Sequence, residues 1–327
     1  MIDFKKPRVA IWYYVAASTN YRNDGGSLFL NYNLRRLLDG TDPLKDTDRM
    51  MDQNNVVHIQ PNMPLTTLGT FDLNILVDHG EDGIYVPLDF VVPHPNAYWV
   101  ADSHLGYEYR LKRAKEFDHV FVSHSPSIEK FIKDGIDPAK IHYLPWAAEE
   151  TCYRPMPVLE KWDWCFIGTM NNEFRIDLID HFCKEFPVGE QGYLGWMNNF
   201  VKGWNVLDDA ATKYSKSRIV LNEAVKDDLN MRVFEALACK RFLLTESVPD
   251  LHRHFEDGKH LVTFKTIDEA VEKARYYLSH DEERNLIAEA GHQAFLSHHT
   301  YMHRTKEILK VCIGYEAKEK ELVAVPA

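Results

Sequence analysis

Asn230-Met-Arg-Val-Phe-Glu-Ala-Leu-Ala-Cys-Lys-Arg-Phe-Leu-Leu-Thr-Glu246 changes its periodicity half-way along. Val233, Phe234, Leu237 and Ala238 recur at the spacing of a helix with one apolar face. Phe242-Leu243-Leu244-Thr245 is instead an unbroken apolar run, such as fills a strand buried on both sides. Asn230, Arg232 and Glu235 fall within two turns of the helix, so its start carries an amide, a cation and a carboxylate. A helix with a polar start, followed at once by a buried strand, is the repeating unit of a parallel α/β sheet. Ligands of such sheets collect beyond the carboxyl ends of the strands, where loop amides and helix N-termini converge.

The same alternation runs through the rest of the chain. The pattern predicts strands at Arg8–Tyr14, Val56–Ile59, Leu73–Val77, Ala97–Val100, His119–Val122 and Ile141–Leu144, with helices at Ser27–Leu38, Tyr107–Glu116 and Ser127–Lys133. Two prolines interrupt it in Tyr153-Arg-Pro-Met-Pro-Val158. It restarts with strands at Trp164–Ile167, Arg218–Leu221, Phe242–Thr245 and Leu261–Phe264, and helices at Arg175–Lys184, Asn230–Ala238, Ile267–Leu278, Glu282–Leu296 and Tyr301–Cys312. Two tandem Rossmann-like units follow from this reading: 1–155, 156–300, and a terminal helix and tail, 301–327, that packs back on the first.

A chain of 327 residues exceeds one ordinary hydrophobic core, which agrees with two domains of roughly 150 residues. With 45% hydrophobic and 27% charged residues it reads as globular and water-soluble, and no apolar run approaches the roughly 20 residues that cross a bilayer. The start, Met-Ile-Asp-Phe-Lys-Lys-Pro-Arg, lacks the apolar core of a signal peptide, so a cytoplasmic location is expected. Five scattered cysteines without a Cys-x-x-Cys pair argue against a disulfide framework and a thiolate metal site. A net charge of −11 argues against broad binding to nucleic acid; peripheral membrane association would need a local patch.

The Asn230–Glu246 stretch, with the preceding Tyr214-Ser-Lys-Ser-Arg-Ile-Val-Leu-Asn222, resembles the C-terminal half of GT-B glycosyltransferases, in particular the CgeB-like branch. His299-Thr-Tyr-Met-His-Arg304 resembles the segment that starts that branch's terminal helix. The resemblance implies a GT-B fold of two doubly wound α/β domains. It implies transfer of a sugar from a nucleotide diphosphate sugar to an acceptor hydroxyl, with retention of configuration and no metal or cofactor besides the donor. Phe-Glu-Ala-Leu-Ala-Cys matches the element whose Glu binds ribose, which puts Glu235 on the nucleotide. Where many members carry a second Glu eight positions earlier, this chain has Asp227. A same-fold nucleotide-sugar epimerase and a catalytically silent sugar-binding subunit are the rival expectations.

Around Glu235 the sequence nominates a donor site. Arg232 would neutralise a leaving diphosphate, where charge develops in the transition state. Asn222 ends the preceding strand, and Asn230 is either a helix cap or a sugar or phosphate contact. Gly168 and Thr169 end another strand and permit close approach of backbone to phosphate, with Arg175 adding charge. Gly25 and Gly26 match in position the glycine loop that approaches the donor.

For the acceptor hydroxyl, Asp102 and His104 follow one strand and His79 another, placed to orient or deprotonate an alcohol. The sequence does not name the acceptor, which the resemblance leaves open among a glycan, a lipid-linked sugar, a protein, a small molecule and, were the chain viral, modified DNA. The clustered histidines, His292, His298, His299, His303, His252 and His254, show no recognised zinc spacing. Tyr13, Tyr14, Trp146, Trp196 and Trp204 are aromatic candidates for stacking on sugars, with core packing as their ordinary use.

Overall fold

The computed structural model describes residues 6–13, 25–40, 55–59, 69–78, 90–100, 102–103, 106–170, 172–188, 192–196 and 205–317. The chain divides into two compact units, Met1–Pro145 with Tyr301–Ala327, and Trp146–Thr300. The first unit is therefore discontinuous in sequence, with the second inserted ahead of its last helix.

Unit 1 holds six parallel strands, β1 (Val9–Trp12), β2 (Val56–Ile59), β3 (Leu73–Val77), β4 (Asn96–Val100), β5 (His119–Val122) and β6 (Ile141–Tyr143), in the order β2-β1-β3-β4-β5-β6. Nearly every strand residue is buried, as expected for strands covered on both faces. Among the described residues four helices belong to this unit: α1 (Gly25–Leu38), α2 (Tyr107–Ala114), α3 (Pro126–Lys133) and α9 (Tyr301–Ile313). Trp12, Tyr98, Phe117, Val120 and Phe131 fill one side of the sheet. The terminal helix α9 packs on α1 through Tyr301, whose ring lies 5.1 Å from Phe29 and 6.2 Å from Trp99. Arg304 donates from Nε to the Pro145 carbonyl at 2.8 Å, and burial lowers its pKa to about 10.

Unit 2 has five parallel strands, β7 (Trp162–Gly168), β8 (Gly192–Trp196), β9 (Ser217–Asn222), β10 (Phe242–Glu246) and β11 (Val262–Phe264), in the order β11-β10-β9-β7-β8. The chain leaves β7 toward β8, then returns to the other side of β7 and builds outward from β9. The strand order reverses between β7 and β9, and that reversal marks the ligand crevice of an open α/β sheet. Helices α4 (Glu173–Glu185), α5 (Asn205–Ser215), α6 (Met231–Ala238), α7 (Ile267–Ser279) and α8 (Asp281–His298), with a short 3₁₀ helix at Pro249–Arg253, complete the unit. Asn172 caps α4 by accepting the Arg175 N–H at 2.8 Å, and Thr266 caps α7 by accepting that of Glu269 at 3.2 Å. Trp164, Phe166, Phe182, Ile219, Leu221, Phe242 and Leu244 form its core.

Three elements escape the sequence pattern: β8, α5 and the 3₁₀ helix. In β8, Gly192 is small because the Trp164 indole lies against it, where a Cβ would collide. Gly25 and Gly26 form the first turn of α1 instead of a loop before it.

Candidate donor site in the second unit

The carboxyl ends of β7 and β9 are joined by one side chain. Arg232, in the first turn of α6, donates from Nε to the Ile167 carbonyl and from Nη1 to Asn222 Oδ1, both at 2.6 Å. Its guanidinium lies 4.6 Å from the Phe166 ring centroid. The neighbouring Gly168 has no room for a side chain: a Cβ there would collide with the Arg232 guanidinium and lie 2.8 Å from Phe166 Cζ. The glycine admits the arginine. Asn222 is held in turn by Thr245 on β10, whose hydroxyl accepts from Nδ2 at 2.9 Å. A cation is thus fixed at the place where the strand order reverses.

Arg175 is differently used. Its guanidinium is buried, pairs with Glu223 just past β9, and donates to the Thr169 carbonyl at 2.6 Å and the Glu223 carbonyl at 3.1 Å. Burial and then Arg232 lower its pKa, against the opposing pull of Glu223. Sequence reading assigned Arg175 to the diphosphate; the structure commits it to tying the loops after β7 and β9 together, and Thr169 serves that tie through its backbone. Glu223, missed from the sequence, is the partner that absorbs the charge.

Asn230 stands at the N-cap of α6 but makes no side-chain capping bond. Its amide instead donates to the Glu223 carbonyl at 3.2 Å, and its buried Oδ1 has no partner among the described residues. Lys226 and Asp227, in the loop before it, are exposed and both adopt left-handed backbone, with φ of 52° and 62°.

Glu235 lies one turn beyond Arg232 and keeps some exposure. The Tyr214 hydroxyl donates to its Oε2 at 3.1 Å, and the Tyr153 hydroxyl also hydrogen-bonds to the carboxyl. Surrounding protein raises the Glu235 pKa through desolvation, while Arg232 and the two tyrosines pull it down. Both phenols are raised well above the usual tyrosine range by burial and by Glu235, so both remain donors.

In unit 1, Asp78 at the end of β3 pairs with Arg110 of α2 at 2.5 Å, both buried. Burial opposes the Arg110 charge, but Asp78, Tyr98 and Asp102 outweigh it and raise its pKa. Asp102 follows β4 and is partly buried, next to the fully buried Ser103. His79, His104 and Tyr14, and the side chains of Trp196 and Trp204, lie outside the described residues. Tyr13 stacks on His58 at 4.0 Å and Trp146 is buried. His292 bonds to the Leu237 carbonyl, and His299 packs among Phe234, Phe255 and His254. Among the described residues no group of three or more His, Cys, Asp or Glu side chains could hold a metal ion, and no helix is long and apolar enough to cross a membrane.

Residues 176–310 match the family described as Glycosyl transferase-like. The match covers most of the second unit and runs on into α9. No curated protein matches the sequence. Among solved structures, the Anabaena protein HepE in complex with UDP and glucose is similar with a TM-score of 0.62 at 10% identity, covering 93% of this chain and 98% of that one. A glycosyltransferase from Rickettsia africae gives 0.56 at 10% identity over 96% and 100%. TarM of S. aureus, in complex with Fondaparinux, alpha-GlcNAc-glycerol and UDP, gives 0.54 at 11% identity over 73% and 55%. The fold is that of the GT-B glycosyltransferases, as the resemblance implied.

Proposed function

We propose that the protein transfers a sugar from a nucleoside diphosphate sugar to an acceptor hydroxyl, with retention and without a metal. The observation that carries this reading is Arg232, bound to the end of β7 and the end of β9 by two 2.6 Å hydrogen bonds, with Glu235 one turn further along the same helix. Charge grows on the leaving diphosphate as the glycosidic bond breaks. A guanidinium already fixed in place stabilises that charge without reorganising, which is the economical way to lower a barrier. The partly exposed side of Glu235 then accepts the hydroxyls of a ribose, and Asn222 and Asn230 line the approach. UDP is the first nucleotide to test, because HepE and TarM bind it. On the acceptor side we assign Asp102, with His104 and His79, to orienting or deprotonating the hydroxyl.

A screen of UDP-, GDP-, ADP-, CMP- and dTDP-sugars, following nucleotide release and the fate of the sugar, tests the proposal. Slow release of one nucleotide with free sugar, abolished in Glu235→Ala, is the expected result. Conversion to an isomeric nucleotide sugar would replace transfer by epimerisation, and binding of every donor without turnover in the presence of glycan, lipid and protein acceptors would make the protein a silent subunit.

A further inference from the structure

We propose that Tyr153 and Tyr214 are positioning residues that lock the Glu235 carboxylate in the orientation needed to accept a ribose diol; this rests on reading Glu235 as the ribose contact. Three separate pieces of unit 2 supply the group: α6 carries Glu235, α5 carries Tyr214, and the segment before β7 carries Tyr153. The phenol rings are 5% and 1% exposed, with centroids 6.5 Å apart. Neither hydroxyl is a surface decoration that found a nearby acceptor. Each is a buried donor to the carboxylate of Glu235, a residue that is itself only partly buried.

A glutamate on a helix has three soft torsions, and an unrestrained carboxylate samples many orientations. Two donors from separate elements restrict those torsions, and the lone pairs they leave unused are the ones a pair of vicinal hydroxyls would take. The donors also stabilise the anion against the desolvation imposed by its surroundings. The charged and titratable groups facing it are Arg232 on α6, Cys239 just past its end, Tyr214 on α5 and Tyr153; Cys165 on β7 faces Tyr214. Among these, burial holds both phenols and both thiols in their neutral forms, so the inner wall is constant over ordinary pH.

The test compares UDP with its 2′,3′-dideoxy analogue by calorimetry from pH 5 to 8, in wild type, Tyr153→Phe, Tyr214→Phe and Glu235→Gln. Each Phe variant should weaken UDP roughly tenfold and leave the dideoxy analogue unchanged. Removing a phenol removes an influence that lowers the Glu235 pKa, so the acid limb of UDP affinity should move to higher pH. The ratio of the two affinities is independent of how much of a variant is folded, so a destabilised protein still gives an answer. If Glu235→Gln loses its preference for UDP while both Phe variants keep theirs, with unmoved acid limbs, the positioning role fails and the ribose reading stands. If Glu235→Gln discriminates the two ligands as wild type does, the ribose reading itself falls.

Discussion

In the proposed function Glu235 and Arg232 divide the donor between them, and their variants should differ in kind. Glu235→Ala removes an anionic hydrogen-bond acceptor, which costs about 1.5–3 kcal/mol, or roughly 10- to 150-fold in nucleotide affinity. Titration calorimetry of that variant should show weaker binding, and unchanged affinity would remove Glu235 from the ribose. The raised carboxyl pKa fixes the sign of the pH effect. As pH falls, Glu235 protonates earlier than an ordinary glutamate and loses its acceptor capacity, so wild-type nucleotide affinity should decline on the acid side while Glu235→Gln shows no such limb. Gly168→Ala should lower kcat/KM by at least about tenfold, because the methyl displaces the Arg232 guanidinium. In an Arg232→Ala background the same substitution should cost less, the remainder being its contact with the Phe166 ring, and fully additive losses would mean that the two sites act separately.

At the scale of elements, the Arg175–Glu223 pair joins α4 to the segment after β9 through an ion pair with almost no solvent around it. Breaking a buried pair from one side leaves an uncompensated charge, a cost of about 3–5 kcal/mol. Glu223→Gln should therefore lower the unfolding temperature markedly in a thermal scan, and a Tm equal to that of wild type would show the pair to be dispensable. The elements themselves were largely readable in advance, since β2, β3 and β5 are short apolar runs whose ends are set by polar residues. β8 was not, because Gly192 answers to the Trp164 indole, a neighbour that no local periodicity announces. The site was legible to the same extent. Glu235 and Arg232 share one helix and one sequence window, whereas Tyr153, Tyr214 and Glu223 reach their partners from 82, 21 and 48 positions away. Arg175 misled for the same reason: beside a strand end it looks free until its distant carboxylate is known.

At the scale of the whole molecule, unit 1 depends on α9, whose Tyr301 and Arg304 are buried against α1, β4 and the Pro145 carbonyl. A chain ending at Thr300 should lose protease resistance in unit 1 and keep it in unit 2. Equal protection of both under limited proteolysis, read by mass spectrometry, would show that α9 is an accessory.

The discontinuity of unit 1 also fixes an order in time. The ribosome must deliver Trp146–Thr300 between β6 and α9. At about 5–20 residues per second, the six-stranded sheet therefore waits on the order of ten seconds with the α1 face bare. During that interval the inserted unit can fold in full. The domain synthesised second is complete first, and the one that begins the chain is the last to close.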